Sequence, residues 1–136
     1  MFTATYTIRL HDTDAAGVIY FAAVLRIAHD VYEQFLEAHG ESIRATLEGR
    51  TLAYPVVHAE ADYRRPIRLG DQLSIRLDAT RAGEGSFTTR YTFSNGQGEI
   101  AAEASLVHAA VDVTSGRPVP LPDAMVRIII DGHSAS

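Results

Sequence analysis

Two carboxylates one residue apart, Asp12 and Asp14, precede Ala15-Ala16-Gly17 and the bulky run Val18-Ile19-Tyr20-Phe21 in the stretch HDTDAAGVIYF. A helical pattern follows at once, so the spacing predicts a helix entrance near Val18 to Phe21. The first amides of a helix have no partner inside it and carry the positive end of its dipole. Such an entrance attracts an anion, or an oxygen that becomes one during a reaction. Ala15, Ala16 and Gly17 let a substrate approach that backbone closely, and Asp14 lies just upstream, facing the same bound atom. A carboxylate that attacks a carbonyl or aligns a water, with N–H groups that take up the developing charge, is a minimal kit for acyl transfer. A thioester suits it, because its carbonyl is electrophilic and a thiolate leaves well. The plain structural alternative is that an Asp before a helix caps orphan donors. That role suits Asp12 better, as a brace for the loop.

The elements that must position these groups follow from periodicity. In FTATYTIRL, residues 2–10, Phe2, Ala4, Tyr6, Ile8 and Leu10 alternate with polar residues, which predicts a half-buried strand. Over residues 21–39, Leu25, Ala28, Tyr32, Phe35 and Leu36 make one apolar stripe, with Gly40 as a C-terminal cap. Residues 41–52 read as a short helical turn and a loop. After Pro55 the alternation returns over residues 57–63. RRPIRLGD interrupts it at Pro66 and turns at Gly70-Asp71. Strands follow at 73–79 and 87–93, separated by the turn AGEG, and Asn95-Gly96 is a strong hairpin signal. Residues 99–113 are poor in charge, which predicts a central strand covered on both faces. Prolines 118, 120 and 122 end the regular structure, AMVRIII reads as a short edge element and DGHSAS as a loose end.

The expected architecture is α+β: one long helix against an antiparallel five-stranded sheet, in a single domain over residues 1–136. The short connections predict that the last four strands are sequential neighbours. One helix covers only part of such a sheet, so a second subunit is expected to complete the burial, as a dimer or a tetramer.

Composition removes whole classes of function. The chain has no cysteine, which excludes disulfides, thiol nucleophiles and cysteine-based zinc sites. A net charge of −5 argues against broad nucleic-acid binding. No uninterrupted apolar run is long enough to span a bilayer, and MFTATYTIRL lacks the pattern of a signal peptide, so a cytoplasmic location is expected. His29 and His39 are ten residues apart without metal-ligand spacing to another histidine, and no metal site is expected. His108 reads as a satisfied core histidine.

At this point the sequence resembles a known family. DTDAAGVIYF is similar to the D-x-D-x-A-G-x-x-x-[YF] signature of hot-dog-fold acyl-CoA thioesterases of the 4-hydroxybenzoyl-CoA thioesterase family. The resemblance continues through the helix and the Pro…Gly-Asp turn, and covers about residues 4–113. The segment YPVVHAEADYRRPIRLGDQL looks especially like the 1,4-dihydroxy-2-naphthoyl-CoA hydrolases of quinone biosynthesis. The resemblance implies a hot-dog fold, a curved antiparallel sheet wrapped around the long helix, with active sites at a dimer interface. It puts the catalytic carboxylate on Asp14 and the carbonyl-polarising amide on Phe21, with Gly17 permitting close approach. It implies no metal or redox cofactor; coenzyme A is part of the substrate.

The resulting expectation is an acyl-CoA thioesterase acting on an aryl-CoA, with Asp14 as nucleophile or general base. Val18, Ile19, Tyr20 and residues of a partner subunit shape the acyl pocket. His58 contacts an aryl hydroxyl or helps position Asp14 across the dimer; the alternative is a surface histidine. Arg64, Arg65 and Arg68 form a basic cluster suited to the phosphates of coenzyme A; the cheaper reading pairs them with Asp62 or Asp71. Rival functions are an aliphatic acyl-CoA thioesterase, a hot-dog dehydratase and a non-catalytic module that binds an acyl-CoA or acyl carrier protein. A dehydratase would need a histidine where Asp14 stands.

Overall fold

A computed structural model describes residues 1–41 and 51–133; the turn and loop expected over 41–52 lie mostly outside them. The elements run β1 (Phe2–Thr7), α1 (Ala23–Ala38), β2 (Leu52–Ala53), β3 (Val56–Tyr63), β4 (Gln72–Gly83), β5 (Ser86–Ser94), β6 (Ile100–Ala109), β7 (Val111–Asp112) and α2 (Asp123–Asp131). Five strands form one antiparallel sheet in the order β1-β4-β5-β6-β3, and β2 pairs with β7. This is the expected α+β arrangement of a five-stranded sheet on a long helix. α1 buries Val24, Ile27, Ala28, Val31, Tyr32, Phe35 and Leu36, recurring at the spacing that keeps one helical face on a sheet. They meet Ile75, Leu77, Tyr91, Phe93, Ala102 and Leu106, the inward-facing set of β4, β5 and β6.

Four expectations are corrected. First, β3 and β4 are not neighbours. β3 is an edge strand paired with β6, and β4 lies beside β1 on the far side. The connecting segment crosses the end of the sheet because its Ile67 is buried, only 1% exposed, and pulls the chain inward instead of letting it turn tightly. Second, β6 is second from the edge, with β5 at the centre. One face of β6 is buried and the other stays half-exposed in the single chain. Third, AMVRIII is helical rather than an edge element: Met125, Ile128 and Ile129 are the buried residues of α2, a period of three to four that the apolar run concealed. Fourth, Leu10 leaves the sheet: it opens a 3-10 turn over Leu10–Asp12 and is 75% exposed.

The turns fall where expected, with one difference in form. At Gly70-Asp71 the Asp71 carboxylate accepts the Arg68 N–H at 2.8 Å. The Asn95-Gly96 hairpin is a longer loop: the Asn95 side chain accepts the Gln97 and Glu99 amides at 2.9 and 3.0 Å, and the left-handed residue is Gly98, φ +76°. The side-chain bonds of Asn95 replace the two-residue turn.

Candidate active site

Residues 13–19 fold back on themselves. Thr13 bridges Ile19, and the Asp14 N–H donates to the Val18 carbonyl at 3.0 Å. Gly17 closes the turn with φ +79°, a conformation only glycine adopts without strain, and its N–H reaches the Asp14 carbonyl at 3.0 Å. The Asp14 side chain is exposed, and its Oδ1 accepts the Ala16 N–H at 2.8 Å. Such an Asx turn engages one carboxylate oxygen; no protein hydrogen bond to Oδ2 is found among the described residues.

This loop is pinned to the β3–β4 crossover. The Arg64 and Arg65 amides both donate to the Ala101 carbonyl at 2.8 and 3.1 Å. Further along, the Ile19 N–H donates to the Ile67 carbonyl at 2.7 Å, Val18 bridges Arg68, and the Gly70 N–H reaches the Ile8 carbonyl at 2.9 Å. The crossover thus stitches β6, the 13–19 loop and the end of β1 together.

The helix entrance lies later than the sequence pattern suggests. α1 begins at Ala23, with Ala22 in helical backbone geometry and no side-chain cap. One long-range bond and two nearer ones decide which amides remain available. Ile19 N–H goes to Ile67, Tyr20 N–H to the Asp12 carbonyl at 2.7 Å, and Ala23 N–H to the Tyr20 carbonyl at 2.8 Å. Among the described residues the Phe21 N–H has no hydrogen-bond acceptor. Phe21 is therefore not the first helical residue, yet its amide is one that the structure leaves free. Its carbonyl accepts the Tyr63 hydroxyl.

Asp12 has the bracing role. Fully buried, it accepts the Tyr6 hydroxyl and the Arg9 N–H, each at 2.8 Å, and the Arg26 guanidinium. Burial pushes its carboxyl up, but the Arg9, Tyr6 and Arg26 donors outweigh that and hold it below the usual carboxylate range.

A cleft of about 400 Å³ is lined by Val18, Ile19, Tyr63, Arg64, Arg65 and Ile67, with Pro66 completing its wall. It unites four of the predicted substrate-binding residues. Asp14, Gly17, Tyr20 and Phe21 belong to the same loop or its continuation but are not part of this lining. Tyr20 and Phe21 are 46% and 67% exposed, with ring centroids 4.8 Å apart. His58 stands away from the cleft on the edge strand, 3.6 Å from Glu60. Arg65 pairs with Glu99 at 3.0 Å and Arg64 lies 3.6 Å from Glu103. Their acidic partners are thus on and beside β6, not Asp62 or Asp71 as the sequence suggested, because the crossover carries the arginines over that strand. Both side chains are about half exposed and retain free guanidinium surface. Among the described residues no group of three or more His, Asp or Glu side chains is arranged to hold a metal, and no helix is long and apolar enough to cross a membrane.

Sequence reasoning missed Tyr63 as part of this site. The alternation over residues 57–63 marks it only as one of the apolar strand positions, and no local signal pairs it with Phe21. A separate, more apolar groove of about 400 Å³ lies between β4 and α2. It contains none of the predicted residues.

Comparison with known proteins gives a consistent result. Residues 8–129 match the thioesterase-like superfamily. A 1,4-dihydroxy-2-naphthoyl-CoA hydrolase of Nostoc punctiforme is 38% identical over 126 residues, covering 93% of this chain and 84% of its own. The protein of that name from Synechococcus elongatus is 40% identical over 119 residues, 87% of each chain. Among solved structures, a 1,4-dihydroxy-2-naphthoyl-CoA thioesterase from Synechocystis superposes with a TM-score of 0.91 at 31% identity, covering 96% of both chains.

Proposed function

The chain belongs to the thioesterase-like superfamily, and we propose that it hydrolyses an aryl-CoA thioester, of the 1,4-dihydroxy-2-naphthoyl-CoA or 4-hydroxybenzoyl-CoA type, to the free acid and coenzyme A. The names of its relatives support the substrate class. The observation that carries the chemistry is the Phe21 amide, left without an acceptor among the described residues while the Ile19, Tyr20 and Ala23 amides around it are engaged.

In this reading the thioester carbonyl oxygen receives the Phe21 N–H, and the exposed Asp14 carboxylate acts on the acyl carbon. As nucleophile, Asp14 forms a mixed anhydride, expels the coenzyme A thiolate and is regenerated by water. As general base, it removes a proton from the attacking water. In either route water adds across the C–S bond: hydroxyl goes to the acyl carbon and the proton to sulfur. Val18, Ile19 and Tyr20 contact the acyl group. Arg64 and Arg65 take the phosphates of coenzyme A, exchanging their exposed glutamate partners at little cost. His58, on the edge strand away from the cleft, reaches an acyl group only across the dimer, in the site of a second copy.

A second copy of the chain completes the site. Tyr20, Phe21, Val57 and Tyr63 are 46%, 67%, 61% and 45% exposed, more apolar surface than one chain needs beside the unpaired edge of β3. The copy covers this patch in a dimer or a tetramer.

The test is a panel of aryl- and fatty acyl-CoA thioesters assayed for thiol release, with wild type and Asp14→Asn compared. Wild type releases thiol from aryl-CoA, and the variant loses about a thousandfold in kcat with its fold intact. No release from any panel member, or near wild-type turnover in Asp14→Asn, overturns the proposal.

A further inference from the structure

We propose that Tyr63 is a positioning residue for thioester hydrolysis: from the end of β3 its hydroxyl holds the Phe21 carbonyl and thereby aims the free Phe21 N–H at the reacting oxygen. The inference rests on the thioesterase reading above and adds a residue that acts through the backbone.

Three observations carry it. First, the Phe21 carbonyl stands where a regular helix would use it as an acceptor, yet the ladder passes it by. The Ala23 N–H turns back to the Tyr20 carbonyl at 2.8 Å and the Arg26 N–H takes the Ala22 carbonyl at 3.3 Å. Among the described residues, Tyr63 is the donor to Phe21. Second, the preceding residue is held independently, because the Tyr20 N–H is bound to the Asp12 carbonyl at 2.7 Å. The Tyr20–Phe21 peptide is held directly through its Tyr20 carbonyl, which accepts the Ala23 N–H, and the peptides on either side are anchored by Asp12 and by Tyr63. A planar peptide flanked by anchored groups has little freedom left in the torsions on either side of it, so the Phe21 N–H direction is set in advance. Third, the anchor is distant in sequence, 42 residues away, and is placed by strand pairing: Tyr63 is in register with Ala102 of β6. The sheet thus dictates the aim of an amide at the helix entrance.

The physical need is clear. A donor stabilises a developing oxyanion best when it requires no reorganisation as the charge forms. Without the Tyr63 bond the peptide that follows Phe21 would be unheld, leaving the torsions on the C-terminal side of the Phe21 amide soft at the start of a helix. Tyr63 is no core residue: it is 45% exposed and its ring lines the cleft beside Val18 and Ile19. Its hydroxyl can therefore be removed without opening the hydrophobic core.

Tyr63→Phe keeps the ring in the cleft and deletes only the donor. The expected result with an aryl-CoA substrate is a fall in kcat of about tenfold, smaller than the loss on removing an oxyanion donor outright. KM stays within about twofold, as does the Kd of an aryl-methyl-CoA thioether, which lacks the carbonyl oxygen and so does not sense the amide's aim. The thermal midpoint stays at the wild-type value. An unchanged kcat overturns the proposal. So does a weakening of thioether binding in step with kcat, which would make Tyr63 a substrate contact, or a fall in thermal midpoint that accounts for the lost activity. If wild type releases no thiol from any panel member, the thioesterase reading fails. If wild type is active, Asp14→Asn is dead and Tyr63→Phe is normal, only the positioning role fails.

Discussion

The Asp12 carbonyl accepts the Tyr20 N–H at 2.7 Å, so the residue that braces the loop from below also removes a competing donor from the helix entrance. Its carboxylate collects the Tyr6 hydroxyl from β1, the Arg9 N–H from the loop and the Arg26 guanidinium from α1. One buried anion thus joins three elements around the turn that presents Asp14. The two acids of the motif divide the work by environment: Asp12 is sealed among donors, and Asp14 is exposed with one oxygen in an Asx turn.

Replacing Asp12 tests that division. Asp12→Asn puts an amide where a carboxylate met three donors, and at least one donor is left facing an N–H group. The expected loss of stability is about 1–3 kcal/mol, read as a shift in the urea midpoint. Because the folded-state pKa lies below the unfolded one, the Asp12 contribution is fully present above the unfolded carboxylate pKa and is lost as pH falls through the folded value. Wild type should therefore lose more stability than Asp12→Asn on acidification, and parallel pH curves for the two proteins would contradict the account.

Gly17 makes a torsional prediction. A Cβ there would meet nothing within 4 Å, but φ is +79°, so the cost of Gly17→Ala is backbone strain alone, about 1–2 kcal/mol. Gly17→Asn should cost less than Gly17→Ala, because asparagine tolerates the left-handed region. Thermal denaturation of the two variants checks the order, and an alanine variant as stable as the asparagine one would refute it.

His108 sets a second pH dependence. It is fully buried and stacked on Tyr32 and Phe87 at ring-centroid distances of 4.2 and 4.9 Å. Its Nδ1 pairs with the Tyr54 carbonyl at 2.9 Å, while its Nε2 has no partner among the described residues. The histidine expected to be satisfied is thus satisfied on one side only. Burial pushes its imidazole down to about 4 and His29 adds to the fall, against the pull of the Tyr54 carbonyl. The unfolded chain takes up that proton near pH 6.5. The stabilisation is therefore complete above about 6.5 and is lost as pH falls towards about 4, a total on the order of 3 kcal/mol. His108→Phe should flatten the fall in urea midpoint between pH 7 and pH 5; an unaltered slope would exclude His108 as its source.

Much of the site was legible in the chain because it is local. The Asp14-to-Gly17 turn, the apolar stripe of α1, the alternation of β4 and β5 and the Gly70-Asp71 turn all depend on groups within a few residues of one another. The Asx bond from Ala16 to Asp14 closes over two residues, and the sequence motif that flagged Asp14 is the same set of residues that folds the turn. The α2 segment was misread for a related reason. Three consecutive isoleucines satisfy strand and helix patterns alike, and only packing against β4 selects the helix.

Residue types and their spacing mark the groups able to do chemistry: an acid, a permissive glycine and a backbone about to enter a helix. Tertiary structure decided which donor is available and where it points. The Asp12 carbonyl comes from one stretch of chain, and the Tyr63 hydroxyl and Ile67 carbonyl come from another some fifty residues on. They converge because the β3–β4 segment crosses the sheet end instead of turning back. Local patterns report which backbone groups a residue can bond nearby, whereas the Phe21 amide stays free while the Ile19 and Tyr20 amides before it are taken by the Ile67 and Asp12 carbonyls.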